Sequence, residues 1–255
     1  MIRVVVASRV DEAGEIAASS VHDALVHRSH PVLGVATGSS PAALWAALAR
    51  RELDWTTVRA FALDEYLDLA VTHPQRYRNV IDREVVEVLG LDVARVAVPG
   101  GGDDPEADAA RYERDIVAAG GIDVQVLGIG RNGHIGFNEP GTLLDSVTHV
   151  APLAAQTRAD NARFFDDPAE VPHRCITQGV GTILRARRLV LVAFGAAKAE
   201  AVAAAVEGPV TSEVPASALQ GHPDAVVIVD EAAASALVRR ERHLFSGGSG
   251  AGASR

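Results

Sequence analysis

The feature that most constrains this chain is a repeated alternation of short, continuous apolar runs rich in Val with longer stretches rich in Ala. The apolar runs cover residues 2–7, 32–36, 58–63, 96–98, 124–129, 189–194 and 226–229. A strand with one wet face alternates apolar and polar residues; these runs do not alternate, which is the pattern of parallel strands covered on both faces. The segments between them, 11–27, 41–51, 75–89, 105–119, 159–165, 196–206 and 231–240, carry helical patterning. The repeated strand–helix order predicts one α/β domain over residues 1–245, with a mainly parallel central sheet flanked by helices in a Rossmann-like arrangement. No internal repeat or linker divides it. Residues 246–255 are a Gly/Ser tail expected to be flexible and to lie outside the fold.

Composition removes several functions. The net charge is −9 and no run of like charges reaches five residues, so neither a nucleic acid nor an anionic membrane is an expected partner. No apolar segment approaches the roughly 20 residues of a membrane span, and the N-terminal apolar run is too short for a signal sequence. One cysteine, Cys175, allows no intramolecular disulfide and no metal-ligand cluster, and a reducing cytoplasm is the expected setting.

In open parallel sheets ligands bind outside the carboxyl ends of the strands, and four segments there are unusual. After the run at 32–36 comes Thr37-Gly-Ser-Ser-Pro41. With Ser40 as a helix cap and Pro41 as the first helical residue, free amides and hydroxyls would converge on one point suited to phosphate; an ordinary capped turn is the alternative. It lacks the Gly-Lys-Ser/Thr ending of a Walker loop. Phe61-Ala-Leu-Asp-Glu-Tyr66 ends a strand on adjacent acids. Asp64 and Glu65 point in different directions on any regular backbone, so one can face a pocket as a general base; that both acids cap the helix or loop that follows is the alternative.

The third segment, Leu127-Gly-Ile-Gly-Arg-Asn-Gly-His-Ile-Gly-Phe-Asn-Glu-Pro-Gly141, crowds five glycines around Asn132, His134, Asn138 and Glu139. Gly128, Gly130 and Gly133 fit the dinucleotide fingerprint literally, but Pro140 and Gly141 leave no room for the helix it requires. The fourth, Leu189-Val-Leu-Val-Ala-Phe-Gly-Ala-Ala-Lys198, places the chain's one lysine among 24 Lys and Arg in the first turn of a helix. A cation there opposes the helix dipole, which an anionic ligand would justify. Arg163, outside this pattern, could fork a phosphate, with Phe164 and Phe165 packing its helix.

Taken together these residues resemble the glucosamine-6-phosphate deaminase family. The matching stretches are Ala36-Thr-Gly-Ser-Ser-Pro41, Leu63-Asp-Glu-Tyr66, His73-Pro74 with Tyr77, Gly130-Arg-Asn-Gly-His-Ile-Gly-Phe-Asn-Glu-Pro140, Asn161-Ala-Arg-Phe-Phe165, Thr177-Gln-Gly-Val-Gly-Thr182, Ala204-Ala-Val-Glu-Gly208 and Ser217-Ala-Leu-Gln220. The resemblance implies an amino-sugar phosphate substrate, cleaved with water to a ketose phosphate and ammonium, with no metal or organic cofactor. It implies that His134 moves a proton at the ring oxygen, with Glu139 and Asn132 holding the imidazole, and that Asp64 carries the proton between C2 and C1. The phosphate would lie against Thr37, Gly38, Ser39 and Ser40, with Arg163 and Lys198 supplying charge. Asn132 stands where many members have Asp, and His149 and Ala151 where allosterically activated hexameric relatives have basic residues, so regulation by an acetylamino sugar phosphate is not expected. A monomer and a homo-oligomer are both compatible with this reading. The related 6-phosphogluconolactonases follow their histidine with a Ser-Leu-Phe-Pro type of run and lack the counterpart of Glu139. A sugar-phosphate-sensing regulator domain is the non-enzymatic alternative.

Overall fold

The computed structural model describes residues 2–238 and the two-residue strand Leu244–Phe245. The tail at 246–255 and residues 239 and 240 of the last expected helix lie outside the described residues. In chain order the strands are β1 (Arg3–Ala7), β2 (Val32–Val35), β3 (Arg59–Ala62), β4 (Asp64–Tyr66), β5 (Val96–Ala97), β6 (Val124–Leu127), β7 (His149–Pro152), β8 (Arg174–Thr177), β9 (Arg188–Ala193), β10 (Ala225–Asp230) and β11 (Leu244–Phe245). The α-helices are α1 (Val10–Leu25), α2 (Ala42–Leu48), α3 (Tyr77–Ile81), α4 (Glu87–Leu89), α5 (Pro105–Ala118), α6 (Ala155–Asn161), α7 (Val180–Leu184) and α8 (Ala199–Glu207), with a π turn at Asp82–Val86 joining α3 to α4.

All seven apolar runs become strands of one parallel sheet, joined by β11 as an eighth, in the order β11-β1-β10-β9-β6-β2-β3-β5. Their continuous apolar character is explained by burial on both faces: β2 is buried throughout, and Leu33, Phe61, Val126, Val190 and Ile228 are inaccessible to water. Each such side chain contributes roughly 1.5–3 kcal/mol through burial. No helix among the described residues is long and apolar enough to cross a membrane.

The order carries a functional consequence. From β2 the chain moves through α2 to β3 on one side, whereas β6 lies on the other side of β2 and leads on to β9. Neighbours whose exits diverge leave a crevice at their carboxyl ends, the switch point where ligands bind.

A second sheet, the antiparallel β4-β8-β7, was not expected from the sequence. The strand β3 does not end in a loop. It leaves the parallel sheet at Leu63 and continues as β4, pairing Asp64 with Thr177. The Tyr112 hydroxyl and the Gln178 side-chain amide donate to the Ala62 carbonyl at 2.8 and 2.9 Å, and the Gln178 N–H donates to the Leu63 carbonyl at 2.7 Å. These bonds fix the point at which the chain crosses between sheets. The strands escape a hydrophobicity pattern because they are three or four residues long and mix charged with apolar residues.

Three local expectations are corrected. α2 begins at Ala42 with Pro41 flanking it and no side-chain cap, so Ser40 does not cap the helix. The segment expected as a helix at 159–165 is the end of α6 followed by a 3-10 turn at Ala162–Phe164. Residues 231–236 form turns and not the start of a regular helix.

Candidate active site

Four strand ends of the parallel sheet and the start of the antiparallel one surround a cavity of about 630 Å³. Thr37, Gly38, Ser39 and Ser40 follow β2, Asp64 follows β3, His134 comes from the loop after β6, and Lys198 follows β9. Arg163 completes the wall from the turn after α6. Ten residues proposed from the sequence therefore separate into eight that line the cavity and two, Asn132 and Glu139, that stand behind His134.

The adjacent acids divide as strand geometry requires. Asp64 lies on the cavity floor, 6% exposed, and its carboxylate has no hydrogen-bond donor among the described residues. Burial pushes its carboxyl well above the ordinary range, and the neighbouring Glu65 adds to the shift. Glu65 points away. It accepts from the N–H groups of Tyr66, Tyr77 and Arg78 at 2.7, 2.8 and 2.9 Å and lies 3.5 Å from the Arg76 guanidinium. Glu65 is thus the cap of α3, and Asp64 is free for chemistry. Burial raises the Glu65 carboxyl too, against the opposing pull of those donors.

The glycine-rich loop places its histidine by close contact. The His134 ring lies against the backbone of Gly130, where a Cβ would come within 2.2 Å of Cε1. Gly130 N–H donates to the His134 carbonyl at 2.9 Å, closing the loop. Gly136 has φ +56 and space for no side chain beside the Thr177 hydroxyl, with the Asp64 carboxylate 3.5 Å from where a Cβ would stand. Behind the imidazole, Nδ1 is 3.4 Å from Glu139 Oε2, at ion-pair range.

Glu139 also accepts from the Asn132 amide at 2.7 Å and from the Thr157 hydroxyl. Burial alone would raise the Glu139 carboxyl, but His134, Thr157 and Asn132 outweigh it and hold it down at about 2. This corrects the expectation for Asn132: its amide holds Glu139, and its oxygen accepts from the His134 backbone N–H at 3.3 Å, while the imidazole itself is not its partner.

The cationic end is built from the segment after β9 and the turn after α6. Lys198 lies at the end of a 3-10 turn, flanking α8, and its ammonium donates to the Ile129 carbonyl at 2.7 Å. It therefore turns into the cavity and not into water. Burial lowers its pKa; Arg163 and Arg131 push the same way and Asp160 opposes. The Arg163 guanidinium sits 4.6 Å from the Phe164 ring centroid, while Phe165 is buried. The hydroxyls of Ser39 and Ser40 have no hydrogen-bond partner among the described residues. Such a set suits a dianion at one end of the cavity and proton transfer at the other.

The family model for glucosamine-6-phosphate isomerases and 6-phosphogluconolactonases matches residues 6–228. The chain belongs to that family. Within it, a glucosamine-6-phosphate deaminase of Bifidobacterium longum is 52% identical, with 96% of each chain covered. One from Cutibacterium acnes is 50% identical over 94% of each. A solved structure of a monomeric glucosamine-6-phosphate deaminase superposes with a TM-score of 0.89 at 39% identity, covering 92% of this chain and 99% of that one. The 6-phosphogluconolactonase of Trypanosoma brucei shares the fold, with a TM-score of 0.73 at 18% identity over 93% and 99% of the two chains.

Several further residues of this family member have no role in the sequence reading. Thr157 holds Glu139 from a helix 18 residues further along the chain, so only the fold brings the two together. Asp230 accepts from the Gly195 N–H at 3.0 Å and sets the turn that carries Lys198. Tyr66 and Tyr77 pair their hydroxyls at 3.3 Å on the cavity wall, and burial pushes the Tyr66 hydroxyl up to about 12. Arg131 lines the cavity directly before Asn132, within the string that carried the resemblance. Ala151 is buried, and His149 bonds through Nδ1 to the Val147 carbonyl at 2.7 Å. Among the described residues no group of three His, Cys, Asp or Glu is placed to hold a metal ion.

Proposed function

We propose that this chain is a glucosamine-6-phosphate deaminase that converts glucosamine 6-phosphate and water to fructose 6-phosphate and ammonium in the cytoplasm. The reading is supported by curated relatives of that name at 50–52% identity over nearly the whole chain. The observation that carries it is the pairing, across one cavity, of a donor-free carboxylate with a carboxylate-backed imidazole, opposite a cluster of cations.

The phosphate is held by Gly38, Ser39 and Ser40, with Lys198 and Arg163 supplying charge. That leaves the sugar ring over Asp64 and His134. His134, oriented by Glu139, passes a proton at the ring oxygen and opens the pyranose. Asp64 takes the proton from C2 of the open chain and returns it to C1. The imine this leaves at C2 is hydrolysed by water, and ammonium departs. A raised pKa suits Asp64 to this work, since a base is most effective when its pKa approaches the working pH.

The test is simultaneous measurement of ammonium and fructose 6-phosphate from glucosamine 6-phosphate. Equal amounts of both are expected. No ammonium, with hydrolysis of 6-phosphogluconolactone instead, would make the chain a lactonase; neither reaction would leave a sensing domain.

A further inference from the structure

Resting on that functional reading, we propose that Arg131 is a third cation of the phosphate site, held by Asp160 while the site is free and exchanged to the phosphate when substrate binds.

Arg131 is on the loop after β6, two residues beyond the Ile129 carbonyl that receives Lys198, and its side chain lines the cavity. Its Nη1 lies 3.6 Å from Asp160 Oδ1, and the side chains are 57% and 31% exposed. A half-exposed pair at this distance adds little to stability and is cheap to exchange for another partner. Asp160 keeps a second bond, from the Gln156 amide at 2.9 Å, so the carboxylate is not stranded when Arg131 leaves. Asp160 is three residues ahead of Arg163 across the end of α6, which places acid and base on one side of a helical turn, both lining the cavity.

Charge matching adds a second, independent support. Arg163, Arg131 and Asp160 all lie close enough to act on the Lys198 ammonium. A phosphate monoester carries about −1.5 to −2 at neutral pH. Lys198 and Arg163 set against Asp160 leave a single net positive charge, too little for that ligand. With Arg131 the net charge is two, which matches it. Arginine also offers the planar fork that binds phosphate through two parallel bonds, which Lys198 cannot supply.

The experiment is steady-state kinetics of the full chain with glucosamine 6-phosphate, together with direct calorimetric binding of inorganic phosphate, for Arg131→Ala, Arg131→Lys and Asp160→Asn. Arg131→Ala is expected to raise KM and the phosphate dissociation constant about tenfold, the loss of one charge-assisted contact, with the loss falling on KM more than on kcat. Arg131→Lys should recover part of it. Asp160→Asn should move both constants the opposite way, about threefold down, because it frees Arg131 and removes a repelling charge. If the pair is only a brace, both substitutions break the same contact and shift KM in the same direction with a matching loss of thermal stability; that result, or no shift from Arg131→Ala, overturns the proposal. Absence of ammonium release from the wild type would remove the functional reading, while the phosphate measurements would still decide the place of Arg131.

Discussion

Asp64 and Glu139 are two buried carboxyls serving one cavity, and their surroundings drive them in opposite directions. Asp64, on the floor where β3 passes into β4, has no donor, so burial raises its pKa. Glu139, behind the imidazole, is also desolvated but is surrounded by His134, Thr157 and Asn132, which bring it to about 2. Burial is common to both; it stands unopposed at Asp64, whereas the hydrogen-bonding and charged partners of Glu139 outweigh it. One fold can therefore keep a basic carboxylate and a permanently ionised one within a single site. The first is suited to accepting protons from carbon, the second to holding a histidine in place.

The largest expected break in this contrast is Asp64→Asn. Removing the base should lower kcat by about 10²–10⁴-fold while substrate binding is retained; turnover above a few per cent of wild type would contradict its role. The same substitution should stabilise the protein. The folded-state carboxyl titrates above its ordinary value of 3.8, so ionised Asp64 costs stability from that pH upward. The gain in Asp64→Asn should grow as pH rises from there, read as an increase in Tm of about 2–4 °C per kcal/mol.

Lys198→Ala leaves both carboxyls untouched and acts at the other end of the cavity. Loss of a charge-assisted hydrogen bond of about 1.5–3 kcal/mol predicts a KM increase of about 10- to 150-fold with a smaller change in kcat. An unchanged KM would remove Lys198 from the phosphate site.

Glu139→Gln gives the smallest effect and the opposite pH signature from Asp64→Asn. The Glu139 carboxyl lies below its ordinary value of 4.5, so its stabilising contribution is complete above that pH and disappears as pH falls through about 2. Denaturant unfolding should show Glu139→Gln less stable than wild type at neutral pH, with the gap closing across that acid window. A gap independent of pH would mean that the contacts of Glu139 do not depend on its charge.

The contrast also marks what the sequence could disclose. The parallel sheet was legible because its strands are buried on both faces and so read as continuous apolar runs. The antiparallel sheet was not, because β4, β7 and β8 are short, mixed in polarity and, in the case of β4, joined to β3 without a turn. That one of Asp64 and Glu65 would face the cavity came from strand geometry; which one did not, since it depends on where β3 changes sheets at Leu63. Lys198 was legible as a cation placed against a helix end. Thr157, Asp230 and Arg131 gave no such signal: a hydroxyl, an acid at a strand end and a loop arginine are ordinary in sequence, and acquire roles only through partners brought close by the fold. The Ser40 cap failed because α2 starts one residue late, which leaves the Ser39 and Ser40 hydroxyls free of the helix.

The most direct test of the central claim is an NMR titration of the side-chain carboxyl carbons of Asp64 and Glu139 in the full chain, assigned with Asp64→Asn and Glu139→Gln. The expected midpoint for Asp64 is well above the ordinary 3.8, and that for Glu139 is near 2. Both carboxyls titrating together at ordinary carboxylate values would contradict the opposed roles assigned to them.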